Sequence, residues 1–224
     1  SEMCIRDSIT ILSPADSLET VKCLQQSLKS KGSVYIRLTG TANNPIVYNE
    51  DYNFEIGKSI KLRDGADITI FCTGRMVHNS LKAAEALSEK KISARVINIH
   101  TIKPIDKEAI EEANKTKMIF SVEEHNIIGG LGSAIAEHQS SLKNSVKFIR
   151  LGLQDTYSSG GSYEYLQKKH GIKIIDPSSS NLKTKVSSQN KIRKKGSVSF
   201  GFFNYVFTIS FLSILIVCIL IFEL

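Results

Sequence analysis

"KMIFSVEEHNIIGGLGSAIAEH", residues 117–138, is an apolar run that stops at two carboxylates and a histidine, then passes through glycines into a helical pattern. Ile119, Phe120 and Val122 predict a buried strand, so Glu123, Glu124 and His125 emerge at its carboxyl end. Gly129, Gly130 and Gly132 then permit a tight turn into the helix. Ligands of open parallel sheets gather at that edge. Three readings fit: an acid–base pair, an anion cradle at a helix N-terminus, or a plain strand–turn–helix joint. A single G-G-x-G is a weak phosphate signal, so spacing alone leaves all three open.

The same alternation extends to both sides. Downstream, "GSAIAEHQSSL" is a helix, "VKFIRLG" a strand and "SYEYLQKKHG" a helix closed by Gly171. Upstream, "ADITIFCT" is a strand, and "RMVHNSLKAAEALSEK" a helix with Val77, Leu81, Ala84 and Leu87 inward. "ARVINIH" is the next strand, and "DKEAIEEANKT" a helix capped by Asp106. Strands and helices alternating through short joints predict an α/β three-layer sandwich around a mostly parallel sheet. Residues 57–175 are long enough to bury its core.

Residues 39–56 are rich in Asn, Gly and Asp without periodicity and read as a linker. Before it, "SITIL", "LETVKCLQQSLKS" and "SVYIRL" form a strand–helix–strand unit, with Leu18, Val21, Leu24 and Leu28 on one helical face. A crossover helix implies two parallel strands, and two strands alone do not make a stable sheet. This unit is expected to be the last piece of a domain.

Net charge narrows the function classes. Of the +7 total, +5 comes from residues 178–224, where Lys183, Lys185, Lys191, Arg193, Lys194 and Lys195 face only Glu223. The nearly neutral body has no basic stripe, which argues against nucleic acid. Cys4, Cys23, Cys72 and Cys218 show no CxxC spacing, and Cys23 and Cys72 sit in apolar periodic segments as buried thiols. The five histidines, His78, His100, His125, His138 and His170, lie far apart, so no metal grouping is expected. This cysteine usage fits a reducing, cytoplasmic setting.

In order, "ITILSPADSLET", "VYIRL", "FEIGKSIKLRDGADITIFCTG", "NSLKAAEAL", "ARVINIHTIKPID", "SVEEHNIIGGLGSAIAE" and "IRLGLQDTYSSGGSYEYL" resemble the C-terminal part of transketolases. The likeness is strongest to the small subunit of split bacterial transketolases. It implies that residues 9–45 close a thiamine-pyrimidine-binding domain and that residues 55–177 are the transketolase C-terminal domain. It also implies two-carbon ketol transfer between sugars or sugar phosphates through thiamine diphosphate, held with Mg or Ca in an assembled, dimeric enzyme.

The family's cofactor-activating glutamate lies before the segment matched here, and its diphosphate motif belongs to a separate domain. "RDG" at 63–65 lacks that motif's first glycine and reads as a loop. No catalytic, cofactor-binding or metal residue is therefore expected in this chain. It should be inactive without a missing N-terminal thiamine-diphosphate-binding domain or subunit. His100, Glu124 and His125 remain weak ligand-facing candidates, with structural or interface roles preferred for all three.

Many transketolases carry a phosphate-gripping arginine at the position of Gly40. The resembling deoxyxylulose-phosphate synthases carry arginines where this chain has Gly40 and His100, neither of which can replace them; that enzyme is the second reading, and these two residues count against it. Arg37 sits on the opposite sheet face from residues 36 and 38, as a structural group or a ligand.

Both ends stand apart. Residues 1–8, "SEMCIRDS", read as a non-native leader, and residues 178–196 as a polar basic linker. Residues 197–224 read as a membrane-crossing tail, with "NKIRKK" holding the body on the cytoplasmic side, or as an assembly artefact. A genuine tail would make the chain a tail-anchored, non-catalytic α/β interaction module.

Overall fold

The computed structural model describes residues 9–39, 44–156 and 160–170. The chain divides into two units, one reaching Ser159 and one starting at Gly160. Within the second unit, helix α5 spans Tyr163–His170. Gly40, residues 1–8 and the tail at 178–224 lie outside the described residues. Among the described residues, no helix is long and apolar enough to cross a membrane.

The first unit opens with β1 (Thr10–Leu12), α1 (Ser17–Ser27) and β2 (Val34–Ile36). β1 and β2 run parallel, as a crossover helix requires. The third strand comes from downstream. β6 (Thr101–Lys103) pairs antiparallel with the other edge of β1, giving the order β2-β1-β6. The early strand–helix–strand segment is therefore joined through a sheet ladder to the later part of the same unit.

A five-stranded sheet forms the main body, in the order β3-β5-β4-β7-β8. It comprises β3 (Ile60–Arg63), β4 (Ile68–Cys72), β5 (Ala94–Asn98), β7 (Met118–Asn126) and β8 (Lys147–Leu153). Four of these strands are parallel, and β3 adds an antiparallel edge on β5. The sheet is thus mixed. Neither antiparallel strand, β3 or β6, was expected from the sequence pattern, because both are too short to show a period.

Helices α2 (Met76–Glu89), α3 (Lys107–Ala113) and α4 (Leu131–Ser140) connect the parallel strands. The chain steps from β4 to β5 in one direction and from β5 across to β7 in the other. Right-handed crossovers then place α2 on one face and α3 and α4 on the opposite face. The core agrees. Ile110, Ala113, Leu131 and Ile135 of α3 and α4 pack with Phe71, Ile97 and Ile119 of β4, β5 and β7. Val77, Ala84 and Leu87 of α2 are buried as the period predicts.

α1 departs from the simple amphipathic expectation. Its apolar stripe exists, but Val21, Leu24 and Leu28 are 50%, 52% and 88% exposed. The helix buries Glu19 and Cys23 instead, with Cys23 packing on Leu12 and Phe54.

Candidate functional site

β7 emerges as the sequence predicts, and its carboxyl end holds the answer to the glycine turn. Glu123 folds back onto the start of α4, accepting hydrogen bonds from Leu131 N at 2.7 Å and Gly132 N at 2.8 Å. Gly130, the residue before the helix, offers no side-chain cap, so Glu123 supplies the acceptor. A Cβ on Gly130 would fall 1.9 Å from Glu123 Oε2, and one on Gly132 2.7 Å from Ser121 Oγ. Gly130 makes room for the chain's own carboxylate, and Gly132 for Ser121 and Arg150. The anion cradle is real, and its anion is Glu123. Burial pushes the Glu123 carboxyl up, opposed by the two N–H donors and by Arg37 and Arg150 nearby.

The other candidates at this strand end face different ways. Glu124 is half-buried, and its backbone carbonyl accepts a hydrogen bond from Arg37 Nη2 at 2.8 Å. His125 is exposed, with its imidazole held below the usual value by partial burial and by Arg37. Arg37 thus acts as a tie from the end of β2 to the end of β7.

Strand order reverses between β4 and β7, so the ligand crevice of such a sheet would open at their carboxyl ends. Here Ser13 and Pro14 come up against that position. Thr73 Oγ1, just past β4, donates to Ser13 O at 3.3 Å, and Ser13 N donates to His100 O at 2.8 Å. Gly74 adopts φ +57, and a Cβ there would meet Ser13 Oγ at 3.2 Å. The edge is closed by the chain's own early segment.

His100 is fully buried at the end of β5, stacked on Phe54 with centroids 4.1 Å apart. Its Nδ1 lies 3.0 Å from Thr101 Oγ1, while Nε2 is buried with no hydrogen-bond partner among the described residues. Burial pushes this imidazole down to about 4, so it is neutral at ordinary pH.

Beside it lies a network the sequence reading did not single out. Glu19, fully buried, accepts from Ala15 N at 2.6 Å, Asn98 Nδ2 at 2.9 Å and Tyr52 OH at 2.9 Å. Asn98 Nδ2 also bonds Tyr48 OH at 2.7 Å. Asp16 caps α1 by accepting from Glu19 N and uses its second oxygen for Val47 N and Tyr48 N. The legible signal was Asp16–Glu19, spaced as a capping box. Tyr48, Tyr52 and Asn98 carry no local pattern that would join them to it.

The fit of thiamine diphosphate can be tested at the one fragment of its motif. Asp64 Oδ1 accepts from Gly65 N and from Arg95 Nε, and Oδ2 lies 3.6 Å from Lys61 Nζ. A Cβ on Gly65 would sit 2.3 Å from the Ala94–Arg95 backbone. That turn is packed on β5 and has no room to cradle a diphosphate. Among the described residues, no group of three or more His, Cys, Asp or Glu is placed to hold a metal ion. The turn at 63–65 does not fit a diphosphate.

The fold and its closed edge define an α/β domain joined tightly to a neighbouring segment of its own chain. Residues 57–174 match the family described as transketolase, C-terminal domain. The chain belongs to the transketolase family. It is 40% identical over 167 residues to a 6-deoxy-6-sulfo-D-fructose transketolase subunit of Clostridium sp., covering 73% of this chain and 51% of that protein. It is 36% identical over 167 residues to an apulose-4-phosphate transketolase subunit of Actinobacillus succinogenes, covering 74% of this chain and 53% of that protein. A solved split-gene transketolase, described as an inactive beta4 tetramer, superposes with a TM-score of 0.69 at 34% identity, covering 74% of this chain and 53% of that one. The chain therefore spans about half the length of the relatives it matches.

Proposed function

We propose that this chain is the C-terminal section of a thiamine-diphosphate-dependent transketolase subunit, acting in two-carbon ketol transfer between sugars or sugar phosphates and inactive by itself. The observation that carries this reading is the match of residues 57–174 to the transketolase C-terminal domain, and the carboxyl edge suits a supporting part, since Ser13, Glu123 and Arg37 there are bonded to the chain itself. Chemistry is then left to a part that this chain does not match in its relatives. Residues 9–45 close the pyrimidine-binding domain in this reading, and residues 55–177 form the C-terminal domain. The cofactor, with Mg or Ca, belongs to the assembled enzyme, as does a homodimeric arrangement in the cytoplasm. His100, Glu124 and His125 serve the joint between the two segments.

The test is a chimera. The half of the Clostridium relative that this chain does not match is fused to it and mixed with that enzyme's other subunit. Ketol transfer is assayed with thiamine diphosphate and Mg. The chain alone should show no turnover and the chimera should restore it. A folded, assembled chimera without transfer would sink the reading.

A further inference from the structure

We propose that the start of α4 is a binding site for a phosphate group, and that Glu123 fills it as a tethered stand-in which the phosphate displaces. The inference is independent of the function proposed above and concerns only the joint between β7 and α4.

Glu123 uses less than the cradle offers. Its two oxygens take Leu131 N and Gly132 N, donors that a helix start presents to any anion. A third donor lies beside them unused. Ser121 and Glu123 are two residues apart on β7, so both side chains leave the same sheet face, toward the first turn of α4. Ser121 is fully buried, and a Cβ on Gly132 would come within 2.7 Å of its Oγ. That hydroxyl has no hydrogen-bond partner among the described residues. An orphaned buried hydroxyl is a standing cost, which one further acceptor oxygen would remove.

Charge points the same way. Arg37 and Arg150 both act on the Glu123 carboxylate, yet they spend hydrogen bonds on the backbone carbonyls of Glu124 and Ile127. Two guanidiniums and a helix start therefore face one carboxylate. A phosphate dianion balances that charge better, and its three terminal oxygens match two N–H groups and a hydroxyl. Burial opposes the charged form of Glu123, so the stand-in is held less firmly than its two bonds suggest.

The way in is the turn at 127–130. Ile128 is 61% exposed, and Gly129 adopts φ +81 with open space where a Cβ would stand. Swinging this turn outward uncovers Gly130 and the carboxylate packed against it, and a released Glu123 reaches water.

The experiment titrates the full chain with inorganic phosphate and with a pentose 5-phosphate by calorimetry, against chloride at matched ionic strength. The wild type should bind, with amide exchange changed at Leu131 and Gly132. Ser121→Ala should weaken binding about tenfold, and Glu123→Ala, which removes the competitor, should strengthen it by at least about as much. Binding of the ester alone identifies a sugar phosphate as the ligand; binding of both shows that the phosphate group suffices. Either result supports the site. Absence of binding to wild type and Glu123→Ala overturns the proposal. Affinity unchanged by both substitutions places the anion elsewhere and overturns it too. Binding by Glu123→Ala alone also overturns it, because Glu123 is then a permanent filling. Should Glu123→Ala fail to fold, Ser121→Ala and Arg150→Gln decide in chains that keep Glu123: undiminished binding in both sinks the site.

Discussion

At the scale of single residues, Glu19 and His100 sit in the same buried joint and titrate with opposite consequences. Among the described residues, the bonding partners of Glu19 are neutral, so burial raises its carboxyl above the usual 4.5. A raised folded value means that its contribution to stability is complete below 4.5 and is lost as pH rises through the folded value. Glu19→Gln removes that titration. The stability of the wild type relative to Glu19→Gln should therefore fall in urea denaturation as pH is raised above 4.5; a flat or rising difference would contradict the raised carboxyl.

For His100 the sign is reversed. Its imidazole falls from 6.5 to about 4 in the fold, so stability is present above 6.5 and is lost as pH drops toward 4. The displacement corresponds to about 3 kcal/mol. Relative to His100→Phe, which keeps the stack on Phe54, the wild type should lose about that much between about pH 7 and about pH 4. Because the two groups oppose each other, the raw pH profile understates both, and only differences against the variants separate them.

At the scale of elements, helix starts do double duty. Asp16 caps α1 and holds Val47 N and Tyr48 N, while Asp106 caps α3 and holds Ser59 N and Oγ. Each carboxylate gives one oxygen to its helix and one to the connection at 44–59. Asp16→Ala leaves three backbone N–H groups without their acceptor, which should cost about 2–4 kcal/mol in chemical denaturation. Asp16→Asn, keeping one acceptor oxygen, should fall between. Faster amide exchange at Val47 and Tyr48 in Asp16→Ala would separate the clasp from a loss of the cap alone. Glu123→Ala removes the acceptor from the start of α4 and should cost about 2–3 kcal/mol, with exchange loosened at Leu131 and Gly132. If Glu123→Ala were as stable as wild type, the carboxylate would not be what seats that helix.

Elements are also where the sequence was read best and where it ran out. The alternating pattern from Ile68 to Leu153 was legible because buried parallel strands and their crossover helices each carry a period several residues long. β3 and β6 escaped it, being four and three residues long and fixed by pairing with β5 and β1. The stripe on α1 was visible as a period, but a period does not say which way a helix faces. Here the buried side is held by Glu19 and its hydrogen bonds, so polar satisfaction outweighed apolar patterning. The glycine turn at 129–132 was legible as a joint or a cradle; only the position of the Glu123 side chain shows that the cradle is filled from within.

At the scale of the whole first unit, the early strand–helix–strand segment and the five-stranded sheet share a ladder through β6, a tie through Arg37 and a buried network through Glu19 and Asn98. A segment with two strands of its own would unfold first if these links were weak. Linked in this way, the two parts should unfold as one cooperative body. Cys23 reports on the early segment and Cys72 on the main sheet; both thiols are buried and pushed up to about 12, which makes them inert in the fold. Labelled in increasing urea and resolved by residue, they should become reactive with a single shared midpoint. Arg37→Ala, cutting the tie to the Glu124 carbonyl, should shift that midpoint for both thiols together. A Cys23 that reacts at clearly lower urea than Cys72 would show that the early segment opens independently. The closed carboxyl edge would then be a gate formed by a detachable segment, because Ser13 and Pro14 would leave Thr73 whenever that segment opened.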